Sequence, residues 1–171
     1  MKIILIGSPG SGKSTLAREI EKLAQIPILH LDKLWHTTDY SDKAIDWFIK
    51  EQEKFMDENE SWVIDGNYFN STIEKRLSYD DVVVVVIQIP RYKRIYRILK
   101  RSVKRRFSKE NRPDMASNFS EKFDKEYLDF LKIAWTYDEK VAQRMIDYEI
   151  KNPIIIKNQR DKENFLNMIS Q

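Results

Sequence analysis

Gly7-Ser8-Pro9-Gly10-Ser11-Gly12-Lys13-Ser14-Thr15 fits the spacing G-x-x-x-x-G-K-[ST] at every fixed position, and no other stretch constrains this chain as much. The apolar run Ile3-Ile4-Leu5-Ile6 precedes it and a helical pattern follows, so a strand leads in and a helix leads out. Its glycines let the backbone turn successive N–H groups inward. Those donors, with the positive end of the following helix, form a cradle for phosphate oxygens. Residues Gly7 to Thr15 are therefore the expected nucleotide-binding residues. Lys13 is expected at the terminal phosphates, Ser14 on Mg²⁺, and Thr15 at a phosphate nearer the sugar. A Gly-rich turn without a ligand is the plainer alternative, and the full match in a strand–loop–helix context disfavours it. The expected ligand is a nucleoside triphosphate, ATP, with Mg²⁺.

The 171 residues suffice for one compact domain that buries roughly 70% of its unfolded surface. No cysteine is present, which excludes a disulfide framework, thiolate metal sites and thiol catalysis. A strand and phosphate loop at the very start leave no place for a signal peptide, and the longest apolar run, Val82 to Ile87, is too short to span a bilayer. The expectation is a cytoplasmic protein with no membrane partner. Net charge is +3, but Arg91 to Arg112 holds eleven Lys or Arg against one acid, Glu110. That segment carries +10 and leaves −7 for the rest, which implies a polyanionic partner at the basic segment.

In order, the chain alternates strand and helix. Leu16, Ile20 and Leu23 mark a helix face ending near Gln25, and Pro27 resets the chain into a strand over Ile28 to Asp32. Ser41 or Asp42 can cap a helix with Ile45, Phe48, Gln52 and Phe55 at helical spacing. A strand over Ser61 to Asp65 stops at Gly66-Asn67, and Ser71-Thr72-Ile73-Glu74 reads as a capping box opening a short helix. Val82 to Ile89 suits a central strand buried on both faces, closed by Pro90. The basic segment is helical to about Phe107 and loses periodicity over Ser108 to Phe119, the candidate mobile loop. A long helix runs from about Glu121 to Tyr148, with Phe123, Tyr127, Phe130, Ala134, Val141 and Met145 inward. Ile154-Ile155-Ile156 is the last strand, and Phe165, Leu166 and Ile169 belong to a C-terminal helix. Five strands with intervening helices make a parallel α/β sheet.

Ligands of such sheets bind beyond the carboxyl ends of the strands. Asp32 and Asp65 fall there, able to hold Mg²⁺ waters or to accept a proton from an attacking hydroxyl; capping a turn is the plainer role for either. Arg94, Arg97, Arg101 and Arg105 are three or four apart, so they share one helix face. A row of guanidiniums suits phosphoryl groups, though a solvated basic face is the commoner outcome for a charge run. His30 and His36 read as packed or surface residues. The four tryptophans read as core, with Trp35 also a possible stacking surface.

The chain resembles the adenylate kinase-related proteins called DNA topology modulation proteins. The resemblance rests on the phosphate loop, His30-Leu31-Asp32-Lys33-Leu34-Trp35, Trp62-Val63-Ile64-Asp65-Gly66-Asn67-Tyr68, Pro90-Arg91, Arg112-Pro113-Asp114-Met115 and the Trp135–Tyr137 region, and covers nearly the whole chain. It implies a three-layer P-loop kinase-like fold, sheet order 2-3-1-4-5, and a lid over about residues 105–122. The wider adenylate kinase pattern implies lid arginines at Arg97 and Arg101, seven and eleven residues after Pro90, and a returning Arg112-Pro113-Asp114. Its Asp-Gly-Phe-Pro-Arg appears here as Asp65-Gly66-Asn67-Tyr68-Phe69, so the arginine that grips a nucleoside monophosphate is missing, with Arg76 a candidate replacement. The expected activity is transfer of the terminal phosphoryl group of ATP to a small acceptor, a nucleotide or nucleoside. Lys13, Asp32, Arg97, Arg101 and Arg112 form the catalytic set, and Ser14, Asp32 and Asp65 the metal set. The competing reading is an ATP-switched regulator whose basic helix meets nucleic acid. No helix-turn-helix, zinc-finger or RNA-binding signature accompanies it.

Overall fold

A computed structural model of the chain describes residues 1–107 and 124–170. In chain order the elements are β1 (Lys2–Gly7), α1 (Lys13–Ala24), β2 (Ile28–His30), α2 (Leu31–Trp35), α3 (Asp42–Glu58) and β3 (Trp62–Asp65). There follow α4 (Phe69–Ser78), β4 (Val82–Ile87), α5 (Arg91–Phe107), α6 (Lys125–Asp147), β5 (Ile154–Ile156) and α7 (Gln159–Ile169). The sheet runs β2-β3-β1-β4-β5 with every pair parallel, the order expected.

Alternation along β1 sends its apolar side chains to opposite faces, as the pleat requires. Ile3 and Leu5 pack with Leu16 and Ile20 of α1 and Phe165 of α7. Ile4 and Ile6 pack with Phe48 of α3, Ile73 of α4 and Val141 of α6. Helices thus cover both faces, giving three layers, and the β-branched run of β4 is buried between them as continuous parallel strands demand. The carboxyl ends of β1 and β3 therefore open on one edge, where α1, α2 and α5 begin.

Several local expectations change. β2 ends at His30, and Asp32 stands in the first turn of α2 instead of at a strand end. Leu31 is fully buried, and a Cβ on Gly66 would lie 2.8 Å from its Cβ; that close approach draws the chain inward and out of the sheet. The Ser71–Glu74 capping box does not form, because α4 begins earlier, with Tyr68 as its N-cap and non-helical backbone at Thr72. Ser71 Oγ instead donates back to Tyr68 O at 2.8 Å.

Ser41 does cap α3, but the buried face is Ala44, Phe48, Gln52 and Met56, with Ile45 exposed. Trp62 is buried, whereas Trp47 and Trp135 are 41% and 46% exposed, since each lies beside its helix's inner face instead of on it. The lid segment expected over about residues 105–122 lies, from residue 108 on, outside the described residues, as do Arg112 and Phe123. No helix among the described residues is long and apolar enough to cross a membrane.

Candidate functional site

A cleft of about 1700 Å³ opens along the sheet edge, with the phosphate loop as its floor. Gly12 caps α1 in a left-handed conformation without a side-chain cap, so the first-turn N–H groups keep no side-chain acceptor. Gly10, at φ +76°, sits so close beneath α5 that a Cβ would meet Arg94 O at 2.8 Å. Only glycine fits there. Lys13 Nζ donates to Gly7 O at 2.7 Å and to Ser8 O at 3.4 Å, which leaves one of its three protons unassigned to the loop. Burial lowers the Lys13 pKa; the carboxylates of Asp65 and Asp32 oppose that shift, and the Arg101 and Arg94 charges add to it. Ser14 and Thr15 line the cleft beside Lys13.

The two acids occupy different settings. Asp65, at the end of β3, is 5% exposed; its Oδ2 lies 2.8 Å from His30 Nδ1, and its Oδ1 is buried without a hydrogen-bond partner. An orphaned carboxylate oxygen near an ammonium is an opening for a cation or its water. Asp32 lines the cleft near the Tyr68 hydroxyl, whose pKa is pushed up first by burial and then by that carboxylate. Tyr68 itself has φ +28°, a conformation costly for a residue with a Cβ, and such strain gathers where side chains must be aimed.

Among the described residues no cluster of three or more His, Asp or Glu could hold a metal alone. Ser14, Asp65 and Asp32 do fit Mg²⁺ in the way that ion is usually held, through one or two hard oxygen ligands with waters and substrate phosphates completing the shell.

The arginine row on α5 separates into two kinds. Arg97 Nη1 donates to Ser11 O at 3.0 Å, so it lies over the phosphate loop, and Arg101 lines the cleft. Arg94 does not face a phosphoryl site. It is fully buried, its Nη1 donating to Asp138 Oδ2 at 2.6 Å and to Ile89 O at 2.8 Å, its Nη2 to Ala134 O at 3.1 Å. Asp138 also accepts from Ser8 Oγ at 2.5 Å, so one carboxylate ties α5, α6 and the phosphate loop together. Arg105 carries no described side chain.

Arg76 does not replace the missing acceptor arginine. It is fully buried and does not line the cleft. Its Nη2 donates to Gln52 Oε1 at 2.6 Å, its Nε to Thr72 Oγ1 at 2.8 Å, and its Nη1 to Asn67 O at 3.3 Å. Burial lowers its pKa to about 9, so the guanidinium stays charged at neutral pH, held by neutral oxygens. The sequence carried a hint of this network, a polar Gln52 at an inward helix position.

The sequence marks Asn67 as a strand stop and as part of the Trp62–Tyr68 motif. Its side-chain amide also clasps the Gly7 backbone on both sides of the Cα, Nδ2 donating to Gly7 O and Oδ1 accepting from Gly7 N, both at 3.0 Å. Nothing local in the sequence marks Asp138, which stands in mid-helix.

No protein-family model matches the chain, and no curated protein matches it. Solved structures do. Deoxyadenosine kinase from M. mycoides with bound dATP is 16% identical and superposes with a TM-score of 0.60 over 100% of both chains. The same enzyme with products dCMP and a flexible dCDP bound gives 0.53 at 16% identity, over 99% of this chain and 98% of that one. Shikimate kinase from Bacteroides thetaiotaomicron gives 0.57 at 14% identity, over 99% and 96%. The fold is that of the P-loop kinases. At such identities the likeness concerns the P-loop kinase fold alone, and the chemistry must be argued from the cleft.

Proposed function

We propose that this chain is an ATP-dependent, Mg²⁺-requiring phosphotransferase that passes a terminal phosphoryl group to a hydroxyl of a small acceptor, a nucleoside or nucleotide. The observation that carries the reading is the convergence of Lys13, Asp32, Asp65 and Arg97 on the mouth of the phosphate loop. Phosphoryl transfer needs little covalent help from protein; it needs positioning and cations around the transferring group. In this reading Lys13 and the loop amides hold the phosphates, and Arg97 and Arg101 face the developing charge; the role proposed for Arg112 falls outside the described residues. Ser14 and Asp65 would hold Mg²⁺, which supplies charge neutralisation when bound. Asp32, on the cleft wall with Tyr68, is the group proposed to orient an acceptor hydroxyl and accept its proton.

The acceptor side is formed by Asp32, Trp35, Phe48, Tyr68 and Tyr137. These offer aromatic surface and a carboxylate, and Arg76, the cation that could have gripped a monophosphate from α4, is spent inside the fold. The aromatic surface supports a ring-bearing acceptor ahead of a small alcohol. The kinship with adenylate kinase and with DNA topology modulation proteins belongs to this proposal, on the ordered motifs that carry it. The test is a panel of nucleosides, nucleoside monophosphates and small alcohols, followed by ADP release and by product phosphorylation. ATP consumption that no acceptor stimulates, with no phosphorylated product, refutes the kinase reading.

A further inference from the structure

Asn67 stands between the two halves of the cleft. On one side its amide clasps both backbone polar atoms of residue Gly7, which belong to successive peptide groups. The assignment of oxygen and nitrogen follows from the partners, since Gly7 N–H needs an acceptor and Gly7 O a donor. On the other side its own backbone carbonyl receives the buried Arg76 guanidinium at 3.3 Å. Arg76 is fixed in turn by Gln52 Oε1 and Thr72 Oγ1, at 2.6 and 2.8 Å. Gly7 O is also the nearest acceptor of the Lys13 ammonium, at 2.7 Å. A continuous hydrogen-bonded path therefore runs from the interior under α4, through Asn67 and the Gly7 carbonyl, to Lys13.

We propose that Asn67 is a positioning residue for Lys13. It fixes the Gly7 carbonyl, and that carbonyl fixes the ammonium so that its remaining proton is directed to phosphate. The inference rests on the reading of Lys13 as a phosphate-holding group. The physical reason is entropic: a free lysine side chain loses rotamer freedom when it is pinned. An ammonium already anchored on Gly7 O and Ser8 O has lost much of that freedom before the ligand arrives. The anchor is useful only if the carbonyl does not itself turn. The clasp on Gly7 N–H and Gly7 C=O joins the two peptide planes that meet at the Gly7 Cα, and so restrains the φ and ψ of a glycine in a way one hydrogen bond does not.

A double-mutant cycle on the full chain tests this, with ATP affinity read by titration calorimetry and folding by thermal denaturation. The four proteins are the unaltered chain, Asn67→Ala, Lys13→Ala and the double variant. Asn67→Ala should weaken ATP about tenfold, the worth of one charge-assisted contact held in place. In the Lys13→Ala background the same change should weaken ATP by less than about twofold, because the group it positions is gone. Equal weakening in both backgrounds would make Asn67 a general support of the loop and overturn the proposal, as would unchanged affinity in Asn67→Ala. Should Asn67→Ala fail to fold, Asn67→Ser is carried through the same cycle and judged by the same outcomes. Lys13→Ala alone checks the underlying reading: unchanged ATP affinity there refutes Lys13 as a phosphate ligand, whatever Asn67 does.

Discussion

Arg76→Ala separates a structural arginine from a substrate-binding one. In the folded chain the guanidinium is fully buried and donates to Gln52 Oε1, Thr72 Oγ1, Ser71 Oγ and the carbonyls of Asn67 and Tyr68. Removing it orphans these acceptors, and each buried acceptor left without a donor costs about 1–3 kcal/mol. The losses do not simply add. Thr72 still donates to Gln52 Oε1 at 2.8 Å, and water can enter the space left behind. A net loss of about 3 kcal/mol is expected, which for a chain of this size lowers Tm by about 6–12 °C. Arg76→Lys should fall between, since an ammonium has three donors and cannot span the same oxygens. Thermal and urea unfolding of the ligand-free protein, followed by circular dichroism, gives the measurement. A Tm within about 2 °C of the unaltered chain, together with a raised KM for the acceptor, refutes the structural assignment.

Asp32→Asn should depress phosphoryl transfer more than it depresses binding of ATP without Mg²⁺, whereas Asp65→Asn should raise the Mg²⁺ concentration needed for turnover. Unaltered transfer kinetics in both variants at limiting Mg²⁺ would return these acids to turn-making roles. Arg97→Ala and Arg101→Ala should each lower turnover, with little change in duplex-DNA affinity across a salt series. If α5 served nucleic acid instead, each lost cation would weaken DNA binding and reduce its salt slope by about one unit while turnover held.

The phosphate loop, the alternation of strand and helix, and the two-faced burial of β1 and β4 were all legible in the chain. These are local properties: spacing of glycines, runs of β-branched residues, and apolar periodicity that must find a partner face. Asp32 and Asp65 were legible as candidates through position alone, but their difference was not. That depends on Gly66 admitting Leu31, on His30 reaching one Asp65 oxygen, and on Tyr68 reaching Asp32.

Charge patterns misled where a buried partner lay far off in the chain. Arg94 and Arg97 looked equivalent on a helical wheel, yet Asp138, in a helix that begins some thirty residues later, captures one and leaves the other over Ser11. Arg76 looked available, yet its oxygens come from α3, from the loop after β3 and from Ser71 and Thr72 of its own helix. Asn67 read as a chain stop, and its amide closes on a residue sixty positions earlier. By itself the sequence determined which backbone would cradle a phosphate, because that depends on short-range geometry. Only the tertiary structure decided which side chains face the cradle, because burial turns a cation or an amide towards whatever polar partner the packed layers bring within hydrogen-bonding distance.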